Sequence, residues 1–345
     1  MAGSDFDIIP LAQYLREHID GFAGSIRVER CGGGRSNPTY VLHTPRKKYV
    51  MRAKPGPQAK LLPSAHAIER EFRVQSALGG SEVPVARMYC LCTDESVIGR
   101  AFYVMECVEG RVMWDQSLPG MTCAERTAIY EELNRVIAAL HKVDHTALGL
   151  ADYGKPGNYF ARQVDRWTKQ YRASEIERIE EMEKLIDWLP RHIPADGGDW
   201  VTIVHGDYRL DNVIFHPTES RVLAVIDWEL STLGHPLADF AYHLMSWHMP
   251  QGTFRGLHGH DLAALGIPDE KSYQQMYQRR VQRPLGDDWN FYLAYNQFRM
   301  AAILQGVAKR AREGLASHAN DIEFGEKAAV LARIGWQFAQ RVKSQ

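Results

Sequence analysis

The chain has 345 residues, more than one ordinary hydrophobic core accommodates, so two lobes or domains are expected. Hydrophobic residues make up 45% and charged residues 24%, which excludes a disordered or fibrous protein. The 41 Lys and Arg residues nearly balance the 42 Asp and Glu residues. The net charge therefore gives no reason to expect a nucleic acid or an anionic membrane as partner.

The five cysteines are an odd number spread through a large chain, unlike the paired framework of a small secreted domain, so a reducing cytoplasm is expected. Cys90 and Cys92 stand in an alternating apolar stretch without a second Cys or His pair at zinc spacing, which favours buried strand residues over metal ligands. The pattern predicts no signal peptide, because the N-terminus lacks a basic segment followed by an apolar run, and no membrane span, because no run of about 18 apolar residues occurs.

The first part of the chain is rich in short apolar runs that predict strands of one sheet. These runs are Ile26–Arg30, Thr39–His43, Tyr49–Ala53, Ala86–Leu91 and Ala101–Cys107. Between the third and fourth runs, Ser64–Leu78 places Ile68, Phe72 and Leu78 at helical spacing. We therefore expect one helix to pack against this sheet.

From Met113 onward the pattern changes to long amphipathic segments. The clearest is Cys123–Val143, for which Thr122 and Glu125 supply a capping box. Further helices are predicted at Tyr159–Leu189, Asp288–Glu313 and Asp321–Val342. The change of pattern near Glu109 divides the chain into predicted domains 1–108 and 109–345, an α+β organisation.

Two apolar runs, Val213–Phe215 and Val222–Ile226, are joined by a polar turn of hairpin length. Asn212 precedes the first run and Asp227 follows the second, so an antiparallel hairpin places both at its open end. A few oxygen ligands of this kind suit Mg²⁺ at a nucleotide. Asp207, in the loop before the hairpin, is placed to accept a proton from an attacking hydroxyl. The alternative is that these residues only cap turns.

The run HGDYRLDN, residues 205–212, followed by IDWE, residues 226–229, resembles the catalytic loop and metal motif of the aminoglycoside phosphotransferase and choline kinase-like family. The resemblance implies that Asp207 is the catalytic base, with ATP as phosphoryl donor and a small-molecule hydroxyl as acceptor. It implies Asn212 and Asp227 as magnesium ligands. The implied fold is protein-kinase-like and two-lobed, with an N-terminal antiparallel sheet and one helix followed by a larger, mainly helical lobe.

Two further residues of this region receive roles from the resemblance. His205 is implied to be a structural member of the catalytic loop. Asp239 matches the family's Pro-x-x-Asp-hydrophobic-Ala segment and is implied to brace that loop. Arg209 is a candidate either for contacting an anionic substrate or for bracing Asp239.

A glycine-rich turn lies between the first two predicted strands, where glycines let the backbone approach phosphates closely. The segment 31–40 resembles the nucleotide-binding loop of the same family, which often carries a Ser-Asn-x-Thr-Tyr run. The candidate residues are Gly33, Gly34, Ser36 and Asn37. A flexible hairpin turn is the alternative interpretation.

The third predicted strand departs from the family pattern, because Arg52 stands where the phosphate-binding lysine is expected. Arginine offers a planar fork for phosphate oxygens, and Lys54 lies on the same strand face as a second candidate. Glu71, rather than Glu69, is expected to hold the cation. The alternative for Glu71 is an exposed helix glutamate.

The segment Phe102–Gly110 resembles the hinge of the same family. Its backbone from Glu106 to Val108 is implied to hydrogen-bond the adenine edge, with apolar neighbours on both sides of the base. Substrate contacts are expected from residues 155–200 and from the C-terminal helices, where no motif identifies them.

Longer stretches are similar to one subgroup, the kinase-like domain attached to certain eukaryotic acyl-CoA dehydrogenases. These stretches are Leu62–His66, Asp94–Gly99 and Ser231–Pro236. The similarity implies a hydroxyacyl-CoA or a hydroxy acid as phosphoryl acceptor. An aminoglycoside or choline-type kinase is the alternative, although a polycationic sugar calls for a carboxylate cluster.

Two other classes stay open. A nucleotide-binding pseudo-enzyme is favoured only by the Arg52 departure. A metal-dependent hydrolase would use His258, His260 and Asp261, but a glycine-flanked loop without helical spacing explains them better. The sequence does not indicate an oligomeric state.

Overall fold

The computed structural model describes residues 5–32, 37–56, 67–195, 200–254, 256–286, 288–313 and 324–342. The chain divides into two compact units. The first consists of Met1–Val112, Thr146–Leu150 and Asn212–Ser231, and the second of Met113–His145, Ala151–Asp211 and Thr232–Gln345. The sequence division into residues 1–108 and 109–345 stays a prediction.

Helices and strands are numbered in chain order. The helices are α1 Ile8–His18, α2 Ile68–Leu78, α3 Cys123–Lys142, α4 Tyr159–Ser174, α5 Glu180–Trp188, α6 Pro236–Leu244, α7 Gln251–Phe254, α8 Leu262–Leu265, α9 Glu270–Val281, α10 Trp289–Arg312 and α11 Phe324–Ala339. The strands are β1 Arg27–Arg30, β2 Thr39–His43, β3 Lys48–Ala53, β4 Met88–Cys92, β5 Phe102–Glu106, β6 Arg111–Val112, β7 Thr202–Val204, β8 Val213–Phe215, β9 Val222–Val225 and β10 Thr232–Gly234.

The first unit contains an antiparallel sheet in the order β1-β2-β3-β5-β4 and a smaller one in the order β6-β8-β9. Successive side chains of β3 point to opposite faces of the larger sheet. Tyr49 and Met51 are buried in a cluster with Leu11 and Leu15 of α1. Arg52, the residue after Met51 in this alternation, therefore faces the other side, where α2 lies. Helix α1 was not predicted, and it covers the face opposite α2.

The second unit is mainly helical, and α10 packs against α4, α6 and α11. Strands β7 and β10 form a short antiparallel pair within it. The predicted capping box at the start of α3 is confirmed, because Thr122 and Glu125 each bond the other's backbone N–H. Among the described residues, no helix has the length and apolar character needed to span a membrane.

The predicted helical stretch Tyr159–Leu189 is interrupted between α4 and α5. The Ser174 hydroxyl donates to the carbonyl oxygen of Gln170 at 2.7 Å, an interaction that competes with helix continuation. Glu175 then adopts an extended backbone conformation. Arg172 of α4 bonds both carboxylate oxygens of Glu183 in α5, so the interleaved charges of this stretch join two helices rather than line one.

Candidate active site

A buried glutamate of α2 faces the central strands of the first unit. Glu71 is 2% exposed, and its carboxylate accepts hydrogen bonds from Asn37 Nδ2 at 2.8 Å and from the Tyr103 hydroxyl at 3.0 Å. Its Oε2 lies 3.2 Å from Nε of Arg52. Burial raises the pKa of the Glu71 carboxyl above its ordinary value, and the charge of Arg52 opposes that shift. Glu71 is thus anchored independently of Arg52 and can hold it in place.

Arg52 also reaches the segment that follows β9. Its Nη2 lies 3.0 Å from Oδ1 of Asp227 and 3.1 Å from Oε2 of Glu229. Burial acts to lower the pKa of Arg52, but the charges of Glu71 and the other carboxylates outweigh it and raise that pKa above its ordinary value. The guanidinium is therefore a permanent cation whose planar fork suits phosphate oxygens.

Lys54 follows β3 and lies on the same face as Arg52, as the strand period predicts. Its Nζ forms an ion pair with Oε1 of Glu69. The lysine and glutamate side chains are 31% and 37% exposed, whereas that of Arg52 is 14% exposed. The choice of Glu71 as the partner of Arg52 agrees with this geometry, and Glu71 is not an exposed helix glutamate.

The predicted hairpin is present as β8 and β9. Val213 pairs with Val225, and the N–H of Ile226 donates to the carbonyl oxygen of Asn212 at 2.9 Å. This bond extends the pairing by one position, so Asn212 and Asp227 follow at the same open end. The hairpin therefore brings an amide and a carboxylate side chain to one end of two adjacent strands.

Asp227 has a left-handed backbone conformation, with φ 67° and ψ 57°. Residues other than glycine adopt it rarely, and Asp and Asn tolerate it better than most. The buried Trp228 fixes this turn, because its Nε1 donates to the carbonyl oxygen of Val225 at 2.9 Å. Backbone strain of this kind is concentrated at functional sites.

The donor atoms at this hairpin end fit a magnesium ion. Mg²⁺ prefers hard oxygen ligands and is held by one or two carboxylates together with phosphate oxygens and water. The Asp227 side chain is 35% exposed, so its carboxylate is accessible to solvent. Asn212, at 6% exposure, has a less accessible amide.

The predicted nucleotide loop lies partly outside the described residues, since Gly33, Gly34 and Ser36 are not among them. Asn37 is described, and it bonds the carboxylate that holds Arg52. At the predicted hinge, the Glu106 N–H donates to the carbonyl oxygen of Arg87 at 2.8 Å. Within the described part of the chain, the N–H of Val108 has no hydrogen-bond partner, which suits a donor for adenine.

The second unit contains Asp207 in the loop after β7, and Asp239 of α6 holds that loop. The Asp239 carboxylate accepts hydrogen bonds from the N–H of His205 at 2.7 Å and from the N–H of Gly206 at 2.8 Å. Nε2 of His141 lies 3.3 Å from the same carboxylate. Burial acts to raise the pKa of Asp239, but His141 and His205 outweigh it, so that pKa lies below its ordinary value.

The carboxylate of Asp207 has two side-chain partners. The hydroxyl of Tyr242 donates to its Oδ1, and Nε of Arg209 lies 3.3 Å from the same atom. Nη2 of Arg209 is also 3.2 Å from Oδ2 of Asp211. Arg209 is therefore positioned at the predicted base.

One residue of the cluster proposed for a metal-dependent hydrolase has a structural role. The Asp261 carboxylate accepts a hydrogen bond from the Ala264 N–H at 3.0 Å and caps α8. His260 donates its backbone N–H to Leu257. A helix cap accounts for the acidic member of that set.

Sequence reasoning missed several residues that contact the predicted site: His141, Glu229, Tyr242 and Arg299. Glu229 stood within the quoted IDWE motif, and Tyr242 follows Asp239 by three positions, so one helical turn pointed to it. The one signal for Arg299 was a charge within the apolar run of α10.

The architecture is that of the protein-kinase-like phosphotransferases, which confirms the predicted fold class. A choline kinase from Cryptosporidium parvum Iowa II superposes with a TM-score of 0.67 over 97% of this chain and 96% of its own, at 13% identity. A thermostable mutant of the aminoglycoside phosphotransferase APH(4)-Ia, in a ternary complex with AMP-PNP and hygromycin B, superposes with a TM-score of 0.62 over 96% of this chain and 98% of its own, at 14% identity.

Residues 27–277 match the model of the phosphotransferase enzyme family, and the chain belongs to that family. A Ralstonia eutropha JMP134 protein assigned as an aminoglycoside phosphotransferase is 60% identical, with a TM-score of 0.92 over 98% of this chain and 100% of its own.

Two curated relatives carry the name of another enzyme. Acyl-CoA dehydrogenase family member 10 of Mus musculus is 48% identical over 334 residues, 95% of this chain. Family member 11 of Homo sapiens is 40% identical over 344 residues, 98% of this chain. The chain spans 31% and 44% of the lengths of these two proteins, so it corresponds to one part of each.

Proposed function

We propose that the protein transfers the γ-phosphoryl group of ATP to a hydroxyl group of a small molecule. The observation that carries this proposal is the position of Arg52, which lies between Glu71 and Asp227 at the hairpin end that also bears Asn212. An anchored cation beside oxygen ligands for magnesium is the combination that nucleotide phosphates require. The complex of APH(4)-Ia with AMP-PNP and hygromycin B supports a nucleotide and a small acceptor as ligands.

The residues of the first unit bind the nucleotide. Arg52, or Lys54 beside it, binds the α- and β-phosphates. Asn212 and Asp227 hold Mg²⁺, which when bound spreads the negative charge of the phosphates. The other nucleotide-binding candidates are Gly33, Gly34, Ser36, Asn37, Glu71, Glu106 and Val108.

Asp207 acts on the acceptor. Its carboxylate orients the acceptor hydroxyl and takes the proton as a bond forms between the hydroxyl oxygen and the γ-phosphorus. The bond from that phosphorus to the bridging oxygen breaks, and ADP leaves with the electron pair. Asp239 keeps the loop in position through the two N–H groups that it binds.

We infer that the acceptor is a hydroxyacyl-CoA or a hydroxy acid. Arg209 pairs with Asp207, and Arg299 donates to the carbonyl oxygen of Gly206, so two cations lie close to the proposed base. The side chain of Arg209 is 46% exposed, so its guanidinium can contact an anionic group of the acceptor, which favours an anionic acceptor over choline or a polycationic sugar. The identity of 48% with a protein named as an acyl-CoA dehydrogenase family member supports the same class.

An aminoglycoside kinase is a second candidate, favoured by the identity of 60% with the Ralstonia eutropha protein. A choline-type kinase has the support of the fold alone. A pseudo-enzyme that binds nucleotide without turnover is favoured by one contact, the pairing of Arg52 with Asp227, because that pair occupies both the cation and a proposed metal ligand.

We also propose that the protein works in the cytoplasm. All five cysteines are free thiols, which suits a reducing compartment. Cys90 and Cys92 are buried strand residues in the core of the first unit, as predicted.

The experiment that tests the proposed function measures magnesium-dependent ADP release by the purified protein. The acceptors are 3- and 4-hydroxyacyl-CoAs, free hydroxy acids, choline and aminoglycosides, each with Asp207→Ala as the matched variant. We expect turnover with the hydroxyacyl-CoAs or hydroxy acids. Asp207→Ala should lower it roughly 10²- to 10⁴-fold, the usual contribution of a general base, and leave ATP affinity largely unchanged.

Each outcome decides between the candidates. Turnover confined to aminoglycosides would show that the proposed acceptor class is wrong and that the proposed phosphotransferase activity is right. ATP binding without ADP release for any of the acceptors would favour the pseudo-enzyme. Full turnover by Asp207→Ala would remove the role assigned to Asp207.

A further inference from the structure

Helix α6 contacts the loop of Asp207 at two points. Asp239 bonds the backbone of that loop, and Tyr242, one helical turn later, donates its hydroxyl to Oδ1 of Asp207 itself. Residues three positions apart lie on the same face of a helix. A single face of α6 therefore holds both the main chain of the loop and the carboxylate that the loop carries.

The ring of Tyr242 is itself held from α10. Arg299 is 7% exposed, and its Nη2 donates to the carbonyl oxygen of Gly206 at 2.5 Å. Its guanidinium carbon lies 5.0 Å from the ring centroid of Tyr242 and 5.5 Å from that of Trp167. A buried guanidinium over aromatic faces is attracted to them, and its fork is rigid. Arg299 therefore fixes the orientation of the phenol and the carbonyl of the residue before Asp207.

The phenol of Tyr242 is a lasting hydrogen-bond donor. Burial, and then the charge of Asp207, raise the pKa of Tyr242 far above its ordinary value, so the hydroxyl keeps its proton at physiological pH. A donor of this kind restrains the rotation of a carboxylate without neutralising it. Arg209, on the same oxygen, has a side chain that is 46% exposed, so it is less restrained than the buried phenol.

We propose that Tyr242 is a positioning residue for Asp207, and that Arg299 keeps Tyr242 and the Gly206 carbonyl in the geometry this requires. The inference rests on the proposed function, because it assigns Tyr242 an effect only through the base. A carboxylate that is free to rotate spends less time aligned with the acceptor hydroxyl, and misplacement by about 1 Å can cost roughly 10²-fold in rate.

The test compares Tyr242→Phe with Tyr130→Phe. Tyr130 is likewise buried, and its hydroxyl donates to the backbone carbonyl of Gln116 at 2.6 Å. Both variants lose one phenol hydroxyl from the second unit. ADP release from magnesium ATP is measured with 4-hydroxybutyryl-CoA and, separately, with water as acceptor. We expect Tyr242→Phe to lower kcat roughly 10- to 100-fold at an unchanged KM for ATP, and Tyr130→Phe to leave both constants near wild type.

The deciding measurement is Tyr242→Phe in an Asp207→Ala background. A residue that acts through Asp207 has no further effect once that carboxylate is absent, so the double variant should turn over at the rate of Asp207→Ala alone. An equal fold-loss in both backgrounds would show a merely structural role and overturn the proposal. So would wild-type kcat in Tyr242→Phe.

Arg299→Lys is the second variant. It keeps the charge and loses the planar fork, so kcat should fall in the same way with little change in the KM for ATP. Wild-type kcat in this variant would overturn the part of the proposal that concerns Arg299. An inactive Asp207→Ala beside a fully active Tyr242→Phe would refute the positioning role alone. A wild-type protein that releases no ADP with any acceptor of the full panel, or with water, would contradict the proposed function, and with it this inference.

Discussion

The Arg52 guanidinium has a fixed partner on one side and partners that a ligand can replace on the other. Its Nε faces Glu71, which Asn37 and Tyr103 hold in place, while its Nη2 is shared between Asp227 and Glu229. Phosphate oxygens can replace carboxylates on Nη2 without releasing the guanidinium from Glu71. This asymmetry favours Arg52 over Lys54 as the phosphate ligand, because Lys54 is paired only at a partly exposed position.

Paired substitutions to methionine separate the two cations. Arg52→Met should raise the KM for ATP at least roughly tenfold, because hydrogen bonds between charged groups are lost and Glu71 is left without its cation. Lys54→Met should change it less than about fivefold, since a partly exposed ion pair contributes little. The measurement is the KM for ATP in the ADP-release assay, with ATP affinity by calorimetry as a check. If Lys54→Met raised the KM for ATP more than Arg52→Met did, Lys54 would be the phosphate ligand.

Sequence motifs point to most of the candidate residues, but they do not specify most of the contacts between these residues. Short motifs fix Asn212 and Asp227 relative to each other, since a hairpin has few registers. Arg52 and Asp227 are 175 positions apart, and no local pattern specifies that contact. Arg299 was missed for the same reason, because its contact with the Asp207 loop depends on how α10 packs, whereas the position of Tyr242 one helical turn after Asp239 was a local signal that was not used.

Among the elements, α6 was the hardest to predict from its sequence. Each of its residues from Pro236 to Leu244 is buried, so it has no solvent-exposed charged face of the kind that marks a surface helix. The strands of the first sheet were predicted closely because their alternation is clear, as in β3. Helix α1 has Asp7 as its N-cap, with Leu11 and Leu15 one turn apart, a signal that was present and unused.

The anchoring of the Asp207 loop to α6 makes a prediction about stability. Asp239→Asn removes a buried charge that accepts hydrogen bonds from His205 and Gly206, and the amide cannot accept both. The free energy of unfolding should fall by about 2–4 kcal/mol near neutral pH. Urea unfolding of both proteins measures this difference, and a loss below about 0.5 kcal/mol, as for an ordinary surface change, would contradict the anchoring.

The difference in the free energy of unfolding between wild type and Asp239→Asn depends on pH because the pKa of Asp239 is lowered. A carboxyl whose pKa is lower in the folded state than in the unfolded state contributes stability that is fully present above the unfolded pKa, about 4. The contribution is lost as pH falls through the folded pKa. The difference between wild type and Asp239→Asn should therefore be constant from about pH 7 to pH 5 and shrink below about pH 4. A difference that grows on acidification would reverse the assigned sign.

For the whole molecule, the proposed function predicts that nucleotide binding and the handling of the acceptor can be altered separately. The proposed nucleotide contacts belong to the first unit, and Asp207, with Asp239 and Tyr242, belongs to the second. A ligand that binds the folded chain stabilises it by mass action, by about 2.7 kcal/mol at a hundred times its Kd. Variants in the two units should therefore differ in ligand-induced stability as well as in rate.

Two substitutions of the same chemical kind test this separation. Asp227→Asn keeps a residue that tolerates the left-handed backbone and removes a carboxylate, and Asp207→Asn removes a carboxylate from the other unit. We expect ATP with magnesium to stabilise Asp207→Asn about as much as wild type. Asp227→Asn should instead lose most of the magnesium-dependent part, since a metal ligand is weakened.

Thermal unfolding is measured for each protein with ATP and magnesium and with ATP and EDTA. The difference between the two conditions gives the magnesium-dependent part of the stabilisation. If Asp227→Asn kept the full magnesium-dependent stabilisation, Asp227 would not be a metal ligand. If Asp207→Asn lost it, Asp207 would contribute to metal binding rather than to the acceptor alone. If ATP stabilised all three proteins equally, with magnesium or with EDTA, ATP binding would not depend on the metal. The hairpin end would then have no part in holding a magnesium ion.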